Sequence, residues 1–206
     1  MSSISIIGLG TMTRAIATRA IEGGNAVEVI GRDAAKAKDL AADLGGGATA
    51  GTFGATPAGD LVILAVPYAG AVPIVAQYGD ALAGKVIIDI TNTSDADATG
   101  LVTGDTSGAQ EIAKAAPASA HVVKAFNTVF GHILAQGGRL DVFLAGDDAR
   151  AKTSVSTLIE TLGLRPLDAG GLEVARWLEG VGLVMISLAG HGVGNFNFSL
   201  GVNLAG

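Results

Sequence analysis

Three groups of residues in this chain have the types and spacing to do chemistry. The first is Gly8-Leu9-Gly10-Thr11-Met12-Thr13, which follows the apolar run Ile4–Ile7 and opens a helical pattern, Arg14–Ile21. Gly8 can take a tight turn that a side chain would strain, and Gly10 removes the Cβ that would hold a ligand off the backbone. A helix starting there aims free N–H groups and the positive end of its dipole outward, at an anion. Thr13 stands where a third glycine is usual, a position that controls how closely helix and sheet pack. Placed between a strand and a helix, this turn predicts a pyrophosphate, and hence a dinucleotide.

The second group is Gly31-Arg32-Asp33 with Lys36, at the end of a second strand-like run, Ala26–Ile30. An acidic residue at that strand end would hydrogen-bond both ribose hydroxyls of NAD. Here Gly31 leaves room and an N–H, Arg32 offers a planar fork to a 2′-phosphate, and Lys36 adds a point charge. The expected form is NADP(H). Asp33 is expected to cap the helix that follows.

The third group is Lys124 with Phe126-Asn127-Thr128. Asn127 is the candidate to orient a carboxamide or ring carbonyl, with a turn-stabilising role as the alternative. Lys124, inside an apolar strand, reads as a snorkelling or paired lysine as readily as a contact for an acidic group. Hydride transfer needs two rings stacked and water excluded rather than a catalytic triad, and none is visible. His132 and His191 read as pocket lining or helix surface, Trp177 as core or interface, and Arg165 with Asp168 as a pair bracing the last strand.

The elements that must position these groups alternate. Strands are expected at Ala48–Ala50, Leu61–Val66, Lys85–Ile90, Ala120–Ala125, Asp141–Gly146 and Leu164–Asp168. Helices are expected at Ala34–Leu44, Ala69–Tyr78, Ser107–Ala116, Asp147–Leu162 and Leu172–Gly190, with a short helical turn at Phe53–Ala58 and a turn at Phe126-Asn127-Thr128 leading toward Val129–Gln136. Nearly continuous apolar strands separated by helices predict an α/β, doubly wound parallel sheet of the Rossmann type. The division expected is a dinucleotide-binding domain over 1–170 and a helical element over 171–206. The polar loop Thr91–Gly108 follows a central strand, where open α/β sheets bind ligands.

Composition narrows the rest. A net charge of −6 with no Lys/Arg cluster argues against nucleic acid. The chain has no cysteine, so no disulfide or thiolate metal site, and its three histidines have no metal-ligand spacing. The apolar tract in Gly180–Gly206 is too short and glycine-broken to span a bilayer, and the amino terminus lacks a basic leader. A cytoplasmic location is the default expectation.

With these segments placed, the chain resembles the NADPH-dependent coenzyme F420 reductases along nearly its whole length. The likeness rests on the amino-terminal turn, Gly31-Arg32 with Lys36, the Ala65-Val66-Pro67 strand end and Val122-Val123-Lys124-Ala125-Phe126-Asn127-Thr128. Ala145-Gly146-Asp147-Asp148 and Gly163-Leu164-Arg165-Pro166-Leu167-Asp168-Ala169-Gly170 extend it. The same domain type is similar to the cytosolic part of membrane metalloreductases, which share a Lys-Ala-Phe-Asn-Thr run. The resemblance implies pyrophosphate contacts at Leu9, Gly10, Thr11 and Met12, and 2′-phosphate contacts at Gly31, Arg32 and Lys36. It puts Ala65, Val66, Pro67 and Asn92 along the nicotinamide ribose, Asn127 beside the nicotinamide, and a terminal helix against the acceptor pocket in a homodimer. Deazaflavin-using members resemble a Leu-His-Thr pattern where this chain has Phe126-Asn127-Thr128. The acceptor is therefore expected to be flavin-like: coenzyme F420, FMN or FAD. A carbonyl, imine or quinone reductase and a non-catalytic NADP(H) sensor are the alternatives.

Overall fold

The computed structural model describes residues 2–95, 97 and 99–205. Eight strands form one sheet: β1 (Ser3–Ile7), β2 (Ala26–Gly31), β3 (Thr49–Thr52), β4 (Leu61–Leu64), β5 (Val86–Asp89), β6 (His121–Ala125), β7 (Asp141–Gly146) and β8 (Arg165–Asp168). Their order is β3-β2-β1-β4-β5-β6-β7-β8. The helices are α1 (Thr11–Glu22), α2 (Ala34–Leu44), α3 (Tyr68–Tyr78), α4 (Gly108–Ala115), α5 (Gly131–Ala135), α6 (Ala149–Thr161) and α7 (Ala175–Gly190).

Strand alternation sends side chains to two cores. Ile4, Ile6, Val29, Ile63 and Val123 meet α1, α2 and α6 on one face. Ile7, Ile30, Val62, Leu64 and Ile87 meet α3 and α4 on the other. Strands covered on both sides need continuous apolar sequence, which is why β4 is buried throughout. The sheet is parallel except between β6 and β7, which run antiparallel. The segment between them holds only the five-residue α5, which packs on α1. Too short to run the length of the sheet, it feeds β7 from the end where β6 finishes.

Caps set the helix starts. Asp33 accepts from the N–H groups of Ala35 and Lys36, Ser107 forms a capping box with Gln110, and Asp148 accepts from Ala151 N at 2.7 Å. Residues 53–60 form turns and bends rather than the expected helical turn. Arg165 and Asp168 do not pair. Three apart on a strand, they point to opposite faces; Arg165 instead meets Asp141, its register partner on β7, and Asp168 meets Lys152 at 2.9 Å. Trp177 is not core: it is 67% exposed, with the Arg176 guanidinium over its ring. Among the described residues no helix is long and apolar enough to cross a membrane.

Candidate functional site

The strand order reverses between β1 and β4, and the loops that follow them diverge there, opening a crevice at the strands' carboxyl ends. Gly8, at φ +130°, accepts no side chain: a Cβ would sit 2.0 Å from the Ala65 carbonyl oxygen. Gly10 differs. Its Cβ would meet nothing within 4 Å, so the backbone at the start of α1 faces open space. No side chain caps α1 and its first turn carries no acid. The turn therefore presents bare N–H groups to that space, as an anion requires. Thr13 lies buried beneath the turn with its hydroxyl donating to Gly8 O at 3.0 Å, so it braces the loop from below.

Two cavities flank this turn. The first, about 380 Å³, is lined by Gly8, Leu9, Gly31, Arg32, Phe53 and Ile74, among others. Leu9 fits beneath Gly31 because a Cβ there would lie 2.4 Å from its Cδ1. The Arg32 guanidinium stands over the Phe53 ring, 5.8 Å from its centroid, at an exposed rim. Lys36 is exposed, 3.7 Å from Asp33, and does not line the cavity. The second cavity, about 770 Å³, takes Gly10, Thr11 and Met12 on one side and Ile90, Thr91 and Asn92 on another. Val66 and Pro67 line both, making one continuous trough. Tyr68 reaches the second cavity while its phenol donates to the Glu111 carboxylate; burial first, and then that carboxylate, push the phenol up to about 12.

Asn127 sits directly behind this trough, buried, and reaches it through Asn92. Asn92 Nδ2 donates to the Asn127 backbone oxygen at 3.0 Å, and its Oδ1 accepts from Asn127 Nδ2 at 3.1 Å. The second proton of that amide goes to Leu178 O at 2.8 Å. These bonds fix both amide orientations and leave Asn127 Oδ1 as a buried acceptor without a partner. Phe126, fully buried at φ +60°, holds the turn in a conformation that costs a non-glycine residue about 1–3 kcal/mol. Gly182 of α7 closes the back, where a Cβ would lie 2.5 Å from Asn92 Oδ1.

Lys124 is paired rather than snorkelling. Its ammonium donates to Asp89 Oδ2 at 2.8 Å, Thr91 O at 2.6 Å and Glu179 Oε1 at 2.9 Å, and all three side chains are fully buried. His132 meets Phe196 O and His191, just past the end of α7, meets Ser187 O of that helix; neither lines the trough. Phe53, Gly182 and Glu179 are the site's neighbours that residue patterns did not single out. Glu179 alone left a trace, as a lone acid opening an otherwise uncharged tract.

Residues 3–93 match the model of the NADP oxidoreductase, coenzyme F420-dependent, family. Over that stretch the chain is similar to members of this family. It is 30% identical over 188 residues to the rat metalloreductase STEAP3, which covers 89% of this chain and 37% of that protein. It is also 30% identical over 139 residues to the F420-dependent NADP reductase of Methanocaldococcus jannaschii, covering 63% of this chain and 62% of that one. The chain thus spans less than two thirds of either relative. A solved structure of a proposed F420-dependent NADP reductase from Arthrobacter sp. FB24 superposes with a TM-score of 0.82 at 27% identity, covering 98% of this chain and 100% of that one. The match and the superposition agree with the strand order in giving a Rossmann-like fold.

Proposed function

We propose that this protein transfers a hydride between NADPH and a flat, flavin-type acceptor, with coenzyme F420 as the first candidate and FMN or FAD as close chemical relatives. The observation that carries this reading is the continuous trough: an exposed guanidinium at one end, the open Gly10 cradle in the middle and an asparagine pair at the other. The residues fit the cofactor. Arg32 and Gly31 would take the 2′-phosphate with Lys36 nearby, and the Thr11–Thr13 amides the pyrophosphate. Val66, Pro67 and Asn92 would flank the nicotinamide ribose. The bound dinucleotide supplies the hydride; the protein's part is to stack the two rings and exclude water. Asn127 Oδ1, as an acceptor only, suits an N–H of a carboxamide or ring, relayed or direct. Gly182 lets α7 pack close behind the pair. We assign residues 1–170 to dinucleotide binding and 171–206 to the acceptor side and to a homodimer contact, and place the reaction in the cytoplasm.

The test is a single-turnover mix of the protein and NADPH with F420, FMN, FAD or a quinone, each separately, followed by loss of dihydronicotinamide absorbance. Fast oxidation is expected with F420. Oxidation by FMN or FAD alone keeps the mechanism and changes the acceptor. Tight NADPH binding with no oxidation by any of them overturns the reading in favour of a sensor.

A further inference from the structure

Glu179 sits in α7 at a point where an apolar residue would pack, and burying a carboxylate there is costly unless every oxygen is engaged. Every oxygen is. Oε1 accepts from Lys124 Nζ at 2.9 Å and from Gly108 N at 3.0 Å, and Oε2 accepts from Thr93 Oγ1 at 2.6 Å. Lys124 places its three protons on Asp89, Thr91 O and Glu179, so the ammonium is equally complete. Thr93 and Gly108 are the two ends of a segment whose Ser94, Asp95 and Val102 line the second cavity. One carboxylate therefore ties α7, both ends of that segment and the floor of the sheet together. Less than one turn further along α7, Gly182 rests against Asn92 and Asn127. None of these residues lines the first cavity.

We propose that Glu179 is a positioning residue for the acceptor half of the site. It sets the position of Ser94, Asp95 and Val102 and the seat of α7 behind the asparagine pair, and has no part in holding the adenosine end of the cofactor. The proposal rests on the hydride-transfer reading above for its kinetic consequence, but its structural consequence stands alone. A shift of Ser94, Asp95 and Val102 would reshape the wall of the second cavity and so weaken the seating of the acceptor.

The experiment compares Glu179→Gln and Thr93→Val with the wild-type chain. Thr93→Val removes one bond to Glu179 at nearly constant volume, and Thr93→Ser restores it. Three readouts are taken: amide exchange of residues 99–108, affinity for 2′-phospho-ADP-ribose, and acceptor KM with saturating NADPH. Expected are faster exchange in both variants, fragment affinity within about twofold of wild type, and acceptor KM raised about tenfold in Glu179→Gln and about threefold in Thr93→Val. Thr93→Ser should return to wild type. Unchanged exchange in both, or fragment affinity falling in step with acceptor KM, overturns the proposal. Should Glu179→Gln fail to fold, Thr93→Val decides by the same readouts. Altered exchange with no turnover on any acceptor would sink the hydride-transfer reading and leave the positioning role in place.

Discussion

Gly8 and Gly10 carry the same residue type two positions apart and do different work. Gly8 is held at φ +130° against the Ala65 carbonyl, whereas Gly10 has ordinary φ and an empty Cβ direction. Gly8→Ala is therefore expected to destabilise the fold by about 2–4 kcal/mol, with any loss of binding following from that. Gly10→Ala should leave the thermal midpoint within about 1 °C and weaken NADPH binding at least about tenfold, since the added methyl fills the cradle. Thermal melts alongside fluorescence titration check both; equal destabilisation by the two would remove the distinction. The glycine turn and its Arg32 partner were legible as residues. So was the division between Gly8 in the tight turn and Gly10 with its open Cβ direction; that Gly8 is held by the Ala65 carbonyl was not, because that depends on where β4 ends.

At the scale of elements, the β7–β8 pair shows how register redirects charge. Arg165 lies across from Asp141 and clamps it, while Val202 of the tail donates its N–H to Asp141 at 2.7 Å. The Arg165 guanidinium holds the Asp141 carboxyl below the usual aspartate range, against the opposing effect of burial. A depressed folded pKa stabilises the fold above the unfolded value, about 3.9, and that contribution disappears as pH falls through the folded value. The stability gap between wild type and Asp141→Asn should thus be constant above about pH 4 and close progressively below it. Urea titrations across that window measure it, and a gap that widened on acidification would contradict the sign. Strand periodicity identified β7 and β8, yet opposite charge alone paired Arg165 with Asp168, the wrong acid, because pairing across strands requires the register.

On the scale of the whole molecule, α7 carries an apolar stripe outside the two cores. Trp177, Val184 and Leu188 are exposed on α7 at spacings of seven and four, one face of the helix. Burying such a stripe against a second copy is the contact proposed above for a homodimer. Light scattering at micromolar concentration should give twice the monomer mass for wild type and the monomer mass for Val184→Glu, with thermal stability of the variant little changed. A wild-type monomer would remove the dimer from the proposal.

By itself the sequence determined the α/β alternation, the glycine turn, the basic residues after β2 and the cap at Asp33. Each is a local signal: hydrophobic period, backbone freedom, or a side chain reaching its own helix. It also showed Lys124 and Asn127 as polar residues in apolar surroundings. Only the tertiary structure decided what they do. Asp89, Lys124 and Glu179 come from β5, β6 and α7 and meet because the strands are neighbours and α7 crosses behind them. Asn127 acquires a single free acceptor because Asn92 and Leu178 engage its amide from two other segments. The antiparallel turn at β7 likewise follows from the shortness of α5. Pairings between residues far apart in the chain are set by strand order and packing, which no local pattern encodes.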